Sequence, residues 1–454
     1  MSDTGRGVWK RRAMRLWLTA GASAVTAIGS VVRNKWYAMH LDPAGLGVLG
    51  QVVAGQTWLG TLTGLGLTVP VARAIGAARA AHDAPALRRT VTTALGVVRV
   101  TTIVAAAVGL AFAPWVSRAL FGTPEHALLV RVSMLAVVGL GVQAVLQGVF
   151  AGHSDVRAPF TYALAGNLAV VSLALVCVPR FGLAGAVWSS SLFWPVAITV
   201  TLLVHRRAYA GTGIGPTGLR VDRDEAGMLV RVALAALLLS LVDQGALLAL
   251  RSHYVRVAGL AANGLLQASL GLSQQLGTVV YGYLASYAFG RISGMRAVAD
   301  VREYTRRQWA PLLAIGGLGC AALGLLGTPV LHLLYSSRFD AARPMLVWML
   351  VGEFARVAIQ VWALGALPLG GIRLWVPIGL SLALGMVIGY TGAVMLGAGS
   401  MALPYAYAFA GALSLTVTGV LMSLRGVTLR VRDAAVLLAL GAALLAIATF
   451  VTRR

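Results

Sequence analysis

Glu353, Arg356 and Gln360 stand at i, i+3 and i+7 in an otherwise apolar stretch, so on a helix they share one face. Charge inside an apolar segment is costly and is usually kept for function. Asp243 and Glu353 are the two carboxylates inside apolar segments, and they are the candidates for coupling to an ion. The basic residues in or beside such segments are Arg33, Lys35, Arg99, Arg131, Arg231, Arg251, Arg256 and Arg356. An arginine fork matches a phosphate in two-point fashion, so these are candidate ligands for an anionic group. Five of them have a plainer reading beside the functional one, and Arg99, with no acid nearby in sequence, has the strongest functional reading. Arg131 and Arg231 can snorkel to a membrane face, Arg251 and Arg256 can be loop charges, and Arg356 can pair with Glu353 one turn earlier. Asn263, Gln267, Gln274 and Tyr281 follow at spacings of four, seven and seven, a polar stripe on one helix face. Such a stripe avoids lipid, so it is either glue between helices or a wall that hydrogen-bonds sugar. Gln143 and Gln147 repeat the theme.

The elements that must hold these residues are long and apolar. Of 454 residues 58% are hydrophobic and 11% charged, too few polar residues to cover a soluble protein of this length. Apolar segments fall at 13–37, 45–72, 91–114, 127–151, 159–179, 183–204, 227–250, 258–288, 309–333, 345–366, 374–397, 401–423 and 434–451. About 20 apolar residues cross a bilayer, so the chain reads as an all-α polytopic membrane protein. The net charge of +23 fits a membrane protein with basic cytoplasmic loops better than one that binds nucleic acid. With the N-terminus inside, the cytoplasmic set includes Lys10, Arg11, Arg12, Arg15, Arg88, Arg89, Arg206, Arg207, Arg220, Arg223 and Arg296. It outnumbers the opposite set by roughly two to one. Connections are short, and no phosphate-binding glycine loop for ATP occurs. Cys177 and Cys320 are isolated, and neither metal nor cofactor spacing is present.

The halves repeat. "AGLGVLGQVVA" (Ala44–Ala54) lines up with "AGLAANGLLQA" (Ala258–Ala268), and "ALFGTPEHALLV" (Ala119–Val130) echoes "LLYSSRFDAARPML" (Leu333–Leu346). Six segments separate the copies, which makes the repeats parallel. The expected plan is two parallel six-helix bundles: an N-terminal lobe at 1–205, an interlobe loop at 206–226 and a C-terminal lobe at 227–425. These give 12 core helices, with a thirteenth at 434–451. The glycines of "LDPAGLGVLGQ" (Leu41–Gln51) leave two readings, close helix packing or a pliable helix entry beside a cavity. Pro43 suits a helix start and Asp42 its cap.

"LDPAGLGVLGQ", the segment from Tyr254 to Gly294 and "LLYSSRFDAARPMLVWMLVGEFARV" (Leu333–Val357) resemble a known family over roughly residues 1–425. It is that of the O-antigen and enterobacterial-common-antigen flippases, within the multidrug/oligosaccharidyl-lipid/polysaccharide exporter superfamily. Glu353 departs from the resemblance, which leads us to expect Asp at that position. The resemblance implies two lobes in a V around a central cavity. It also implies movement of an undecaprenyl-diphosphate-linked oligosaccharide from the cytoplasmic to the periplasmic leaflet of a bacterial inner membrane. That cargo needs cations for its diphosphate and amides for its sugars. Arg33, Lys35, Arg99, Arg231, Arg251, Arg256, Asn263, Gln267, Gln274 and Arg356 are the expected binding set, with Asp243 and Glu353 for ion coupling. The expected partners are the lipid-linked oligosaccharide, the bilayer, and a polysaccharide polymerase with its chain-length regulator. A lipid II flippase is the nearest alternative. A drug/cation antiporter would want more acidic residues inside the spans, and a glycan polymerase or ligase would want larger loops.

Overall fold

Each apolar run becomes a helix because a membrane leaves the backbone no water to bond, and an α-helix satisfies it internally. In the computed structural model, residues 3–153, 155–214, 221–284, 288–292, 295 and 297–453 are described, without the side chains of 3–20, 23, 279, 289, 290 and 367. Arg220 and Arg296 lie outside the described residues, as do the side chains of Lys10, Arg11, Arg12 and Arg15. The first helices are α1 (Asp3–His40), α2 (Pro43–Gly64), α3 (Thr68–Ala80), α4 (Ala84–Ala111), α5 (Ala113–Phe121), α6 (Ala127–Gly152) and α7 (Arg157–Val204). The rest are α8 (Arg223–Tyr283), α9 (Phe289–Ile292), α10 (Val298–Leu325), α11 (Gly327–Leu334), α12 (Arg343–Trp362), α13 (Ala366–Gly370), α14 (Ile372–Met395), α15 (Ala402–Leu424) and α16 (Val431–Arg453). Among the described residues, 10 helical stretches are long and apolar enough to cross a membrane, and the chain is a multi-pass membrane protein.

Two of those stretches are helix pairs run together. α7 breaks at Gly182, with φ 53° and ψ −128°, and α8 at Gly259, with φ 87° and ψ 168°. Both lie in the positive-φ region that glycine reaches at no steric cost, so each turn is made by one residue. Gly182 falls between the segments expected at 159–179 and 183–204, whereas Gly259 falls one residue inside the segment expected at 258–288.

The chain forms two compact units. The first is residues 1–41 and 51–241, the second 42–50 and 242–454. In the first, α6 packs on α3, α4 and α7, and α1 lies along α7. Its core includes Val71, Ile75, Val98, Val145 and Phe150, all at most 1% exposed. In the second, α12 packs on α10, α15 and α16, and 78% of the apolar window around it is buried. Whatever polar residue α12 carries at mid-length therefore sits inside protein, not against lipid. The second repeat pair is visible in each unit by itself. A short helix (α5 or α11) ends just before the long helix that follows (α6 or α12). The thirteenth apolar segment is α16, docked on α10 through the Trp309 indole, which donates to the Asp433 carbonyl at 3.2 Å.

Residues 42–50 are the start of α2, and they pack with the second unit. Asp42 caps the helix, its Oδ1 accepting from the Gly45 amide at 2.7 Å. A Cβ on Gly47 would strike the carbonyl oxygen of Leu260 and lie 2.9 Å from the Gly264 nitrogen. A Cβ on Gly264 would in turn strike the Pro43 carbonyl. The two copies of the first repeat are thus pressed backbone to backbone, and close packing is what Gly47 provides.

Candidate functional site

The second unit buries a carboxylate at mid-length of α12. Glu353 on α12 is 1% exposed. Its Oε1 accepts from the Tyr281 hydroxyl on α8 at 2.8 Å, and its Oε2 from the Tyr407 hydroxyl on α15 at 2.7 Å. Gly277, one turn before Tyr281, makes room: a Cβ there would run into Glu353 Oε1. Gln274 is the further hydrogen-bond partner of Tyr407. A chain of polar groups therefore runs from Gln274 through Tyr407 and Glu353 to Tyr281.

Arg356, one turn after Glu353, takes neither simple option open to it. Its guanidinium carbon lies 4.4 Å from the centroid of the Tyr407 ring, a cation–π contact. No ion pair joins it to Glu353, although Glu353 and Asp243 both act on its charge. Its Nε is buried with no hydrogen-bond acceptor among the described residues. A buried donor left open costs about 1–3 kcal/mol.

The polar stripe of α8 divides in two. Asn263 is fully buried, donates to the Gly47 carbonyl at 2.7 Å and accepts from Nε and Nη2 of Arg251, both at 3.2 Å. Arg251 is itself 2% exposed. These two lock the α2 start against α8. Gln267 packs over Gly50, where a Cβ would lie 2.6 Å from its Oε1. Gln274 and Tyr281 belong to the Glu353 network. The stripe is thus glue at one end and part of the buried Glu353 network at the other. This yields a direct expectation. With Cys177 and Cys320 replaced, a cysteine at the exposed position 274 reacts with a water-soluble thiol reagent, and one at 267 stays protected. Equal labelling at both positions would mean the α2 start leaves α8 during the cycle.

The other expected ligands are dispersed. Arg33 and Lys35 on α1 are partly buried, and Arg33 acts on Tyr37, whose hydroxyl bonds Ser189 at 2.8 Å. Arg231 and Arg256 are exposed, and Arg99 borders a separate cavity in the first unit. Tyr407 was not legible as a site residue. A phenol in "LPYAYAFAGAL" is the one available signal, and it is shared with Tyr405 two residues before. No group of three metal-ligating side chains occurs among the described residues.

Comparison with known proteins agrees with this architecture. The profile of the family described as "Polysaccharide biosynthesis protein" matches residues 16–315. The lipid III flippase of Escherichia coli (strain K12) is 26% identical over 373 residues, covering 80% of this chain and 86% of the flippase. Among solved structures, an inward-facing multidrug-resistance MATE transporter of the MOP superfamily aligns with a TM-score of 0.76 at 16% identity. That alignment covers 91% of this chain and 95% of the transporter. The lipid II flippase MurJ in its inward-closed conformation aligns with a TM-score of 0.67 at 12% identity, covering 97% and 92%. The chain has the fold of these transporters.

Proposed function

From the premise that this chain belongs to the polysaccharide biosynthesis protein family, we propose that it is a flippase for an undecaprenyl-diphosphate-linked oligosaccharide. It is a carrier and not an enzyme, and it works by alternating access in a bacterial inner membrane with its N-terminus cytoplasmic. The observation that carries the reading furthest is the open Nε of Arg356 beside a buried, doubly held Glu353. A diphosphate oxygen is the acceptor that Nε lacks. Gln274 supplies an amide for sugar hydroxyls, and Arg33 and Lys35 add positive charge in the first unit. Likeness to the lipid III flippase supports a lipid-linked glycan as cargo.

Glu353 and Asp243 link cargo to an ion. When a phosphate draws Arg356 off the Tyr407 ring, Glu353 loses a nearby positive charge. A protonated Glu353 becomes a donor at one oxygen, so one tyrosine hydroxyl must turn away. Binding of cargo and binding of a proton are then coupled through one helix face. A polysaccharide polymerase and a chain-length regulator are the natural consumers of the delivered unit.

The test is reconstitution. Proteoliposomes loaded with a polyprenyl-diphosphate-linked oligosaccharide should expose the glycan to an external glycosidase when the full chain is present and a gradient is applied. If the chain instead expels cationic dyes and leaves the glycan protected, the antiporter reading replaces this one. If only a peptide-bearing precursor moves, the cargo is lipid II.

A further inference from the structure

The first unit holds a cavity of about 440 Å³ where α4 and α6 meet the end of α7 and the turn after it. Two guanidiniums border it, Arg99 from α4 and Arg206 from just beyond α7. Most of the remaining lining is apolar, including Leu95, Leu146 and Leu202. Leu203 and Val204, which follow Leu202, are each 63% exposed, as a helix end facing lipid would be. Arg206 has no ion-pair partner among the described residues.

The turn that carries Arg206 is held in place before any ligand arrives. The Tyr209 hydroxyl donates to Asp155 Oδ2 at 2.6 Å, and Tyr209 also borders the cavity. His205 Nε2 meets Thr161 Oγ1 at 3.0 Å, and the Thr212 hydroxyl donates to the Tyr209 carbonyl at 2.7 Å. Asp155 accepts from the amides of Arg157 and Ala158 at 2.8 and 3.4 Å, which ties the same turn to the start of α7. Partial burial pushes the Asp155 carboxyl up. These hydrogen bonds and the nearby His205 outweigh that and hold it below the ordinary carboxylate range, so at neutral pH the anchor is charged.

Two cations over an apolar floor beside an exposed apolar helix end fit one kind of molecule, an anion that carries hydrocarbon. We infer that this cavity binds the headgroup phosphate of an anionic phospholipid, with Arg99 and Arg206 on the phosphate and an acyl chain along Leu95, Leu146 and Leu202. About 440 Å³ suits a glycerophosphate and the top of a chain, and it is small for an oligosaccharide. The site is separate from the Glu353 network and does not depend on the cargo reading. Its effect is to favour whichever state of the carrier keeps the turn at 205–214 docked on α4.

The experiment uses delipidated full-length chain titrated with phosphatidylglycerol or phosphatidylcholine, with retained lipid counted by native mass spectrometry. The wild type should keep one phosphatidylglycerol and show no matching phosphatidylcholine state. Arg99→Gln with Arg206→Gln should weaken that binding about tenfold or more. Leu202→Trp fills the cavity and keeps both charges, and it should weaken binding as much. Arg207→Gln, one residue from Arg206 and outside the lining, should leave it unchanged. Should the double variant lose its helical circular dichroism, Leu202→Trp decides alone. Equal phosphatidylglycerol retention by wild type and Leu202→Trp overturns the inference. So does inorganic pyrophosphate or a polyprenyl diphosphate that displaces phosphatidylglycerol at equal concentration, which would make this a diphosphate site.

Discussion

Glu353→Gln should lower gradient-driven export by about ten- to a hundredfold, the equivalent of losing one charge-assisted hydrogen bond at about 1.5–3 kcal/mol. The chain should still fold and insert, because glutamine has nearly the volume of glutamate in this closed pocket. Its carbonyl can still accept from one tyrosine. Its amide nitrogen, a donor, faces the other hydroxyl, which must turn to accept. Both Tyr281 and Tyr407 now donate to the carboxylate, so the substitution breaks the present arrangement at one end only. A negative charge near Arg356 is also gone. The measurement is proton flux in proteoliposomes with lipid-linked oligosaccharide, with cargo binding measured in parallel. Loss of flux with retained binding makes Glu353 the coupling group. Asp243→Asn in the same assay separates the two carboxylates. If both variants carry wild-type flux, Glu353 is an anchor for two tyrosines and coupling lies elsewhere.

Gly264→Ala should destabilise the second unit by about 1–3 kcal/mol or more, the range for forcing a methyl into a packed core. The new Cβ meets the carbonyl of Pro43, which is backbone and has no rotamer to escape into. Gly47→Ala meets the Leu260 carbonyl and should cost a similar amount. In both, the Asn263 donor to the Gly47 carbonyl is stretched, and Arg251, which leans on the same Asn263, loses its footing. Thermal unfolding of purified protein in detergent reads the loss. Gly282→Ala is the control, since a Cβ there meets nothing within 4 Å. The double variant Gly47→Ala, Gly264→Ala should cost less than the sum of the singles, because one separation of the helices relieves both clashes. Strict additivity would mean that the two glycines do not share a contact.

Composition and periodicity alone determined that this chain is a bundle of membrane helices. A bilayer demands about 20 apolar residues per crossing, and that demand is written locally, one segment at a time. The repeat of "AGLGVLGQVVA" and "AGLAANGLLQA" was equally legible, and so were Glu353 and Arg356, because charge in an apolar run is visible without neighbours. What those residues touch was not. Arg356 and Glu353 share a helix face, and spacing alone pairs them. Only the arrival of α8 and α15 on α12 put two phenols on the carboxylate and moved the guanidinium onto a ring. Spacing likewise made Asn263, Gln267, Gln274 and Tyr281 one stripe. The start of α2 covers the first two and leaves Gln274 exposed, so the same periodicity yields two different environments. Arg206 and Tyr209 lie in a turn with no period at all. They come to line one cavity with Arg99 because α4 and α7 both pack on α6, which brings together residues about a hundred positions apart. A helix announces itself through its own residues, whereas a site made by three helices exists only once they have met.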